Sequence, residues 1–125
     1  EFRNRELSQL SGGQRQRVFI AMALAQNTKI LFLDEPTTYL DIRYQLDILR
    51  LVKKLNREYG ITIVMVLHEI NQAIHFSDEV IGLKDGKVLV QGDPKDVITT
   101  ESISELYDVH LNVADIDGQK FVLTV

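Results

Sequence analysis

A chain of 125 residues has room for one modest domain and not for two, and its 45% apolar and 26% charged residues are those of an ordinary soluble globular protein. A net charge of −4 and a pI near 5.3 argue against a sequence-independent grip on nucleic acid. Without cysteine there are no disulfides or thiolate metal sites, and no apolar run approaches the roughly 20 residues that span a bilayer.

The segment 14–26, opened by Gly12-Gly13, is predicted to be a helix with Val18, Ala21, Met22 and Ala25 on one stripe and Arg15 and Arg17 flanking it. The apolar run 29–33, ending in acid, has the pattern of a strand buried on both faces of a parallel sheet. Asp41 is the expected N-cap of a long helix whose core stripe runs through Ile42, Leu46, Leu49, Val52 and Leu55 and which stops at Gly60. A second buried strand is expected over 61–67 and a short helix over 71–76. Segments 80–83 and 88–91, joined across Asp85-Gly86, read as an antiparallel hairpin. Asp93-Pro94 opens a short helix, Thr100 or Ser102 caps another that ends near Tyr107, and two weak strands close the chain around Asp117-Gly118.

Strand, long helix, strand is a βαβ unit, expected to cross over right-handed. Two parallel strands are only part of a sheet, so the chain is expected to expose apolar surface that further strands would cover. The start at Glu1-Phe2, without Met, agrees with a piece of a longer protein, and no secretory signal is visible.

Four places carry chemistry. Ser11-Gly12-Gly13 stands at a predicted helix start, where glycines let the backbone approach an anion and free N–H groups point at it; a serine N-cap with permissive glycines accounts for these residues alone equally well. Asp34 and Glu35 end a predicted strand, where open α/β sheets bind ligands. One carboxylate there suits Mg²⁺ and the next can polarise a water, although two solvated acids at a strand end are common. Asp41 by itself is a helix cap. His68 ends the second predicted strand and should emerge on the same sheet edge as the acids, able to donate to a phosphate oxygen; for His75 and His110 a satisfied or exposed ring is expected. His68-Glu69-Ile70-Asn71-Gln72 is not the zinc motif, because Gln72 stands at its last position. No Gly-x-x-x-x-Gly-Lys-Ser/Thr loop occurs; the one Gly-Lys pair, Gly86-Lys87, falls in the predicted hairpin turn.

Leu10-Ser11-Gly12-Gly13-Gln14 with its basic helix start, Ile30-Leu31-Phe32-Leu33-Asp34-Glu35-Pro36, Leu40-Asp41 and His68, in this order, closely resemble the ABC (ATP-binding-cassette) ATPases. The resemblance implies an α/β, partial P-loop NTPase fold: a parallel βαβ core with a signature helix and a C-terminal antiparallel hairpin. It implies that residues 1–125 are the C-terminal part of one nucleotide-binding domain, with the phosphate loop outside this sequence. The cofactors it implies are ATP and Mg²⁺. By the same resemblance Glu35 is the catalytic glutamate and Asp34 the Mg²⁺ carboxylate, held directly or through water. His68 is the switch histidine, and Ser11, Gly12, Gly13 and Gln14 contact the γ-phosphate held by the other subunit. Asp41 belongs to the loop that communicates across the dimer. Glu69 departs mildly from the family, which more often has Asp there.

Thr37-Thr38-Tyr39-Leu40-Asp41, Leu67-His68-Glu69-Ile70-Asn71 and Gly92-Asp93-Pro94 look like the importers of iron-siderophore, haem and cobalamin type. The expected partners are a second copy of the subunit, an integral-membrane permease and, indirectly, a substrate-binding protein, with no nucleic acid. The expected location is cytoplasmic, peripheral on the inner face of the cell membrane. Two alternatives stand beside this reading: a non-transport ABC ATPase of DNA repair or translation, and an inert folded fragment.

Overall fold

The computed structural model describes residues 12–124 and, within the first helix, only some of the side chains. The chain divides into two compact units, Glu1–Leu67 and His68–Val125.

The first unit contains α1 (Gly12–Ala25), β1 (Ile30–Asp34), α2 (Ile42–Tyr59) and β2 (Thr62–Val66). Asp41 is the N-cap of α2, with extended backbone and its carboxylate accepting the Tyr44 N–H at 3.1 Å. Gly60 ends the helix in the left-handed conformation at φ 67°, which glycine adopts at little cost. The Asn56 amide then donates to the Ile61 carbonyl at 2.8 Å and ties the helix end to the start of β2.

β1 and β2 pair in parallel, in register from Ile30↔Thr62 to Asp34↔Val66, as the βαβ reading requires. Ile48, Val52 and Leu55 of α2 form the core with Ile61, and Leu31, Leu33, Ile63 and Met65 pack onto it from the strands. These strand residues alternate with Ile30, Phe32, Val64 and Val66, which point the other way and are exposed, Phe32 by 74%. The expectation of strands buried on both faces is therefore corrected: α2 covers one face, and the other is open among the described residues. The exposed apolar surface expected of an incomplete sheet is present.

Two further corrections concern helix faces. In α1 the expected stripe does not face the core: Ala21, Met22 and Ala25 are exposed, and it is Leu24 that packs on the α2 cluster. Arg17 adds an ion pair to Asp47 of α2 at 3.2 Å. In α2 the buried line begins at Ile48, whereas Ile42 in the first turn is 64% exposed.

The second unit contains α3 (Ile70–Phe76), β3 (Val80–Lys84), β4 (Lys87–Gly92), α4 (Pro94–Val97), α5 (Thr100–Tyr107), β5 (Asn112–Ile116) and β6 (Gln119–Leu123). Its core is Ile74, Ile98, Ile103 and Val122, all nearly inaccessible. Both antiparallel hairpins turn on Asp-Gly pairs with positive φ at both residues, Asp85-Gly86 and Asp117-Gly118, the backbone that tight two-residue hairpins demand. A bulge between Gly82 and Leu83 shifts the β3–β4 register.

Asp93 caps α4 with Pro94 in its first turn. The cap of α5 is Thr99, one residue before the expected Thr100. Ser102, the other candidate, is the second half of a capping box, its hydroxyl and N–H bonded to the Thr99 N–H and hydroxyl at 3.0 Å each. At the far end of α5, Lys84 donates to Asp108 Oδ1 at 2.6 Å and to the Glu105 carbonyl at 2.5 Å. The Asp108 carboxylate raises the Lys84 ammonium above its ordinary range.

Candidate functional site

The two acids at the end of β1 are held in different ways. Asp34 is the last residue of the strand and is exposed, on the open face with Ile30 and Phe32. The Glu35 N–H still donates to the Val66 carbonyl at 3.0 Å, so pairing with β2 runs one residue beyond the strand. At that point the backbone turns sharply, with Glu35 at φ 53°. Glutamate has no local side-chain bond to favour this left-handed region, as Asn and Asp do, so strain is localised at this residue.

The next six residues over-determine that turn. Pro36 is fully buried and Thr37 nearly so. The Thr38 N–H donates to the Glu35 carbonyl at 3.2 Å and its hydroxyl to Glu35 Oε2 at 3.4 Å, and the Leu40 N–H donates to the Thr37 carbonyl at 3.4 Å. The Gln45 amide reaches back from α2 to the Leu40 carbonyl at 2.8 Å. Residues 35–41 are thus a tight run of turns fastened to β1 at one end and to the capped N-terminus of α2 at the other. Asp34 ends the strand that enters this loop, and Glu35 and Asp41 stand at the loop's two ends. Tyr39, also left-handed at φ 64°, projects fully into solvent from its crest.

The other expected residues lie elsewhere in the chain. Gly12 and Gly13 open α1, two residues earlier than the helix start expected at Gln14, and Gln14 is half-buried in its first turn. Ser11 lies outside the described residues. His68 is the first residue of the second unit and directly precedes Glu69, the N-cap of α3. The Glu69 carboxylate accepts the N–H groups of Asn71 at 3.1 Å and Gln72 at 2.8 Å. The departure from Asp at this position therefore keeps a capping carboxylate. Burial, with the Glu69 charge as a smaller contribution, pushes the Tyr107 phenol above its usual range.

His75 and His110 behave as expected of isolated histidines. His75 Nε2 lies 3.2 Å from the Lys120 carbonyl with its ring edge-on to Phe121 at 4.5 Å, and His110 Nε2 lies 3.2 Å from Asn112 Oδ1. In the sequence Asn71 stands out only for its place in a motif, yet its side chain bonds the backbone of Val122 twice, at 3.1 and 2.8 Å. A polar side chain early in a helix hints at a partner, but nothing local names one 51 positions away.

No group of three or more His, Cys, Asp or Glu side chains that could hold a metal ion occurs among the described residues. A single exposed carboxylate such as Asp34 fits Mg²⁺ nonetheless, since this ion keeps several waters and takes other oxygens from substrate phosphates.

A family model described as ABC transporter matches residues 1–38, and the chain is similar over most of its length to ATP-binding subunits of ABC transporters. It is 51% identical over 106 residues to the ferric enterobactin transport ATP-binding protein FepC of Escherichia coli, covering 85% of this chain and 39% of the relative. It is 50% identical over 109 residues to the petrobactin import ATP-binding protein FpuC of Bacillus anthracis (87% and 40% covered). A solved inward-facing metal-chelate type ABC transporter superposes with a TM-score of 0.82 at 31% identity, covering 94% of this chain and 47% of that one. The chain thus spans less than half the length of each of these proteins. No helix among the described residues is long and apolar enough to cross a membrane.

Proposed function

We propose that this chain is the C-terminal part of one nucleotide-binding domain in the ATP-hydrolysing subunit of a bacterial ABC importer of iron-siderophore type. The whole subunit converts ATP to ADP and phosphate, and two copies closing around two nucleotides drive a membrane permease from the inner face of the membrane, with a substrate-binding protein delivering the cargo. The observation that carries this reading is the Glu35 turn: a carboxylate in a strained backbone, hydrogen-bonded by Thr38 and set beside the exposed Asp34 at the end of a parallel strand.

The roles are those that the resemblance to ABC ATPases implies, and the local chemistry agrees with them. Glu35 orients a water and takes up its proton, with the Thr38 hydroxyl 3.4 Å from its Oε2. Asp34 holds Mg²⁺, whose charge neutralises the phosphate oxygens. His68 donates to the γ-phosphate region. Ser11 to Gln14 complete the partner's site through the backbone amides at the start of α1, and Asp41 joins the two sites while capping α2. The siderophore-import names of the relatives support the substrate class.

In the full-length protein, Glu35→Gln keeps the shape and loses the base. Hydrolysis should fall by at least about 10²-fold while ATP still binds, so that an ATP-bound dimer accumulates on gel filtration. Turnover within about twofold of wild type would overturn the assignment.

A further inference from the structure

The Asn71 side chain occupies the place of a missing strand. Val113 and Val122 are register partners in the β5–β6 hairpin. The Val113 N–H is taken by the Thr100 hydroxyl at 3.0 Å, while Asn71 takes both the N–H and the C=O of Val122. The pair is therefore of the non-hydrogen-bonded kind, its backbone groups facing outward from the ladder. On the β6 side the Asn71 carboxamide accepts the N–H at 2.8 Å and donates to the C=O at 3.1 Å, as a neighbouring peptide would. Val122 is itself rigidly placed: its side chain is 3% exposed in the core with Ile74, Ile98 and Ile103.

At its other end the clasp holds the first turn of α3. The Asn71 N–H is bonded to the Glu69 carboxylate, and the Ala73 N–H to the Glu69 carbonyl at 3.1 Å, so Asn71 and Glu69 form one capped turn. His68 immediately precedes that turn. The buried core fixes Val122, Val122 fixes Asn71, and Asn71 fixes the turn that His68 enters.

We propose that Asn71 is a positioning residue for His68, and that the closing β5–β6 hairpin sets where the histidine stands and hence how fast ATP is hydrolysed. The inference rests on the role given to His68 under the proposed function and adds to it a second element, remote in sequence, through which that role is controlled. A displacement of the hairpin is transmitted through two hydrogen bonds to the histidine's own backbone, and small misplacements of catalytic groups are costly.

The test uses the full-length protein with steady-state kinetics in ATP. Asn71→Ala should lower kcat about tenfold and leave KM within about twofold, since it misplaces a group without removing a nucleotide contact. Ile103→Val loosens the same core away from the clasp. It should lower the melting temperature comparably while leaving kcat within about twofold. Asn71→Asp keeps the acceptor for the Val122 N–H but sets a carboxylate against the Val122 carbonyl. Protonation restores a donor, so its kcat relative to wild type should recover as the pH falls through the carboxyl titration. Should Asn71→Ala fail to fold, this acid recovery decides: its absence overturns the proposal. An unchanged kcat in Asn71→Ala, or an equal loss in Ile103→Val, overturns it as well. His68→Ala separates the two levels. If it is inactive while Asn71→Ala is normal, only the positioning role falls; if it is fully active, the role of His68 falls and the positioning role with it.

Discussion

Replacing Gly82 with alanine probes how tightly the second unit is packed beneath β3. Gly82 has no left-handed backbone to require glycine, so its small size is what the site uses. An added Cβ would stand 2.6 Å from Val90 Cγ2 and 3.3 and 3.4 Å from the Leu106 methyls. Val90 is the register partner directly across the hairpin, and its branched side chain has one torsion with which to retreat. Leu106 closes the space from α5. Overpacking of this kind costs about 1–3 kcal/mol, offset by about 0.4–1 kcal/mol from the lower entropy of the unfolded alanine chain. A net loss of about 1–2 kcal/mol corresponds to roughly 5- to 30-fold. Hydrogen exchange of the β3 and β4 amides in the full-length protein should accelerate by that factor. Val90→Ala removes the clashing methyl, so the two changes together should cost less than their sum by at least about 0.5 kcal/mol. Exchange within about twofold of wild type in Gly82→Ala, or strict additivity in the cycle, would refute tight packing at this glycine.

Asp41→Ala removes the α2 cap and should cost about 1 kcal/mol, read as faster exchange at the first turn of α2 with the amides near Val52 unaffected; a uniform change along the helix would contradict a local cap. In a full-length heterodimer, Ser11→Arg in one subunit and Glu35→Gln in the other spoils a single composite site. Both changes in the same subunit, paired with wild type, spoil two. The split arrangement should therefore retain more single-turnover hydrolysis, and the reverse ranking would place each site within one chain.

Local chemistry explains what the sequence disclosed. Asp41 and Gly60 bracket α2 because a capping carboxylate and a left-handed glycine act within one turn, and the two Asp-Gly turns likewise need only their own residues. Burial on the strand faces was not legible, because Ile-Leu-Phe-Leu reads the same whether one face is covered or two; only the placement of α2 separates Leu31 and Leu33 from Ile30 and Phe32. The stripe in α1 failed similarly: a helix apolar on several sides does not declare which of Leu24 and Met22 turns inward. The Glu35 turn and the Asn71 clasp were invisible, the one being a backbone angle on a residue type that rarely adopts it, the other a contact between distant segments.

The left-handed backbone at Glu35 sets foldability against chemistry at a single position. An L residue without a short hydrogen-bonding side chain costs roughly 1–2 kcal/mol there, and glycine almost nothing. A library at residue 35 sorted for abundance would enrich Gly and Asn, while the same library sorted for ATP turnover would enrich Glu. Stability-guided engineering of this domain would thus select against its proposed catalytic base, and consider the result an improvement.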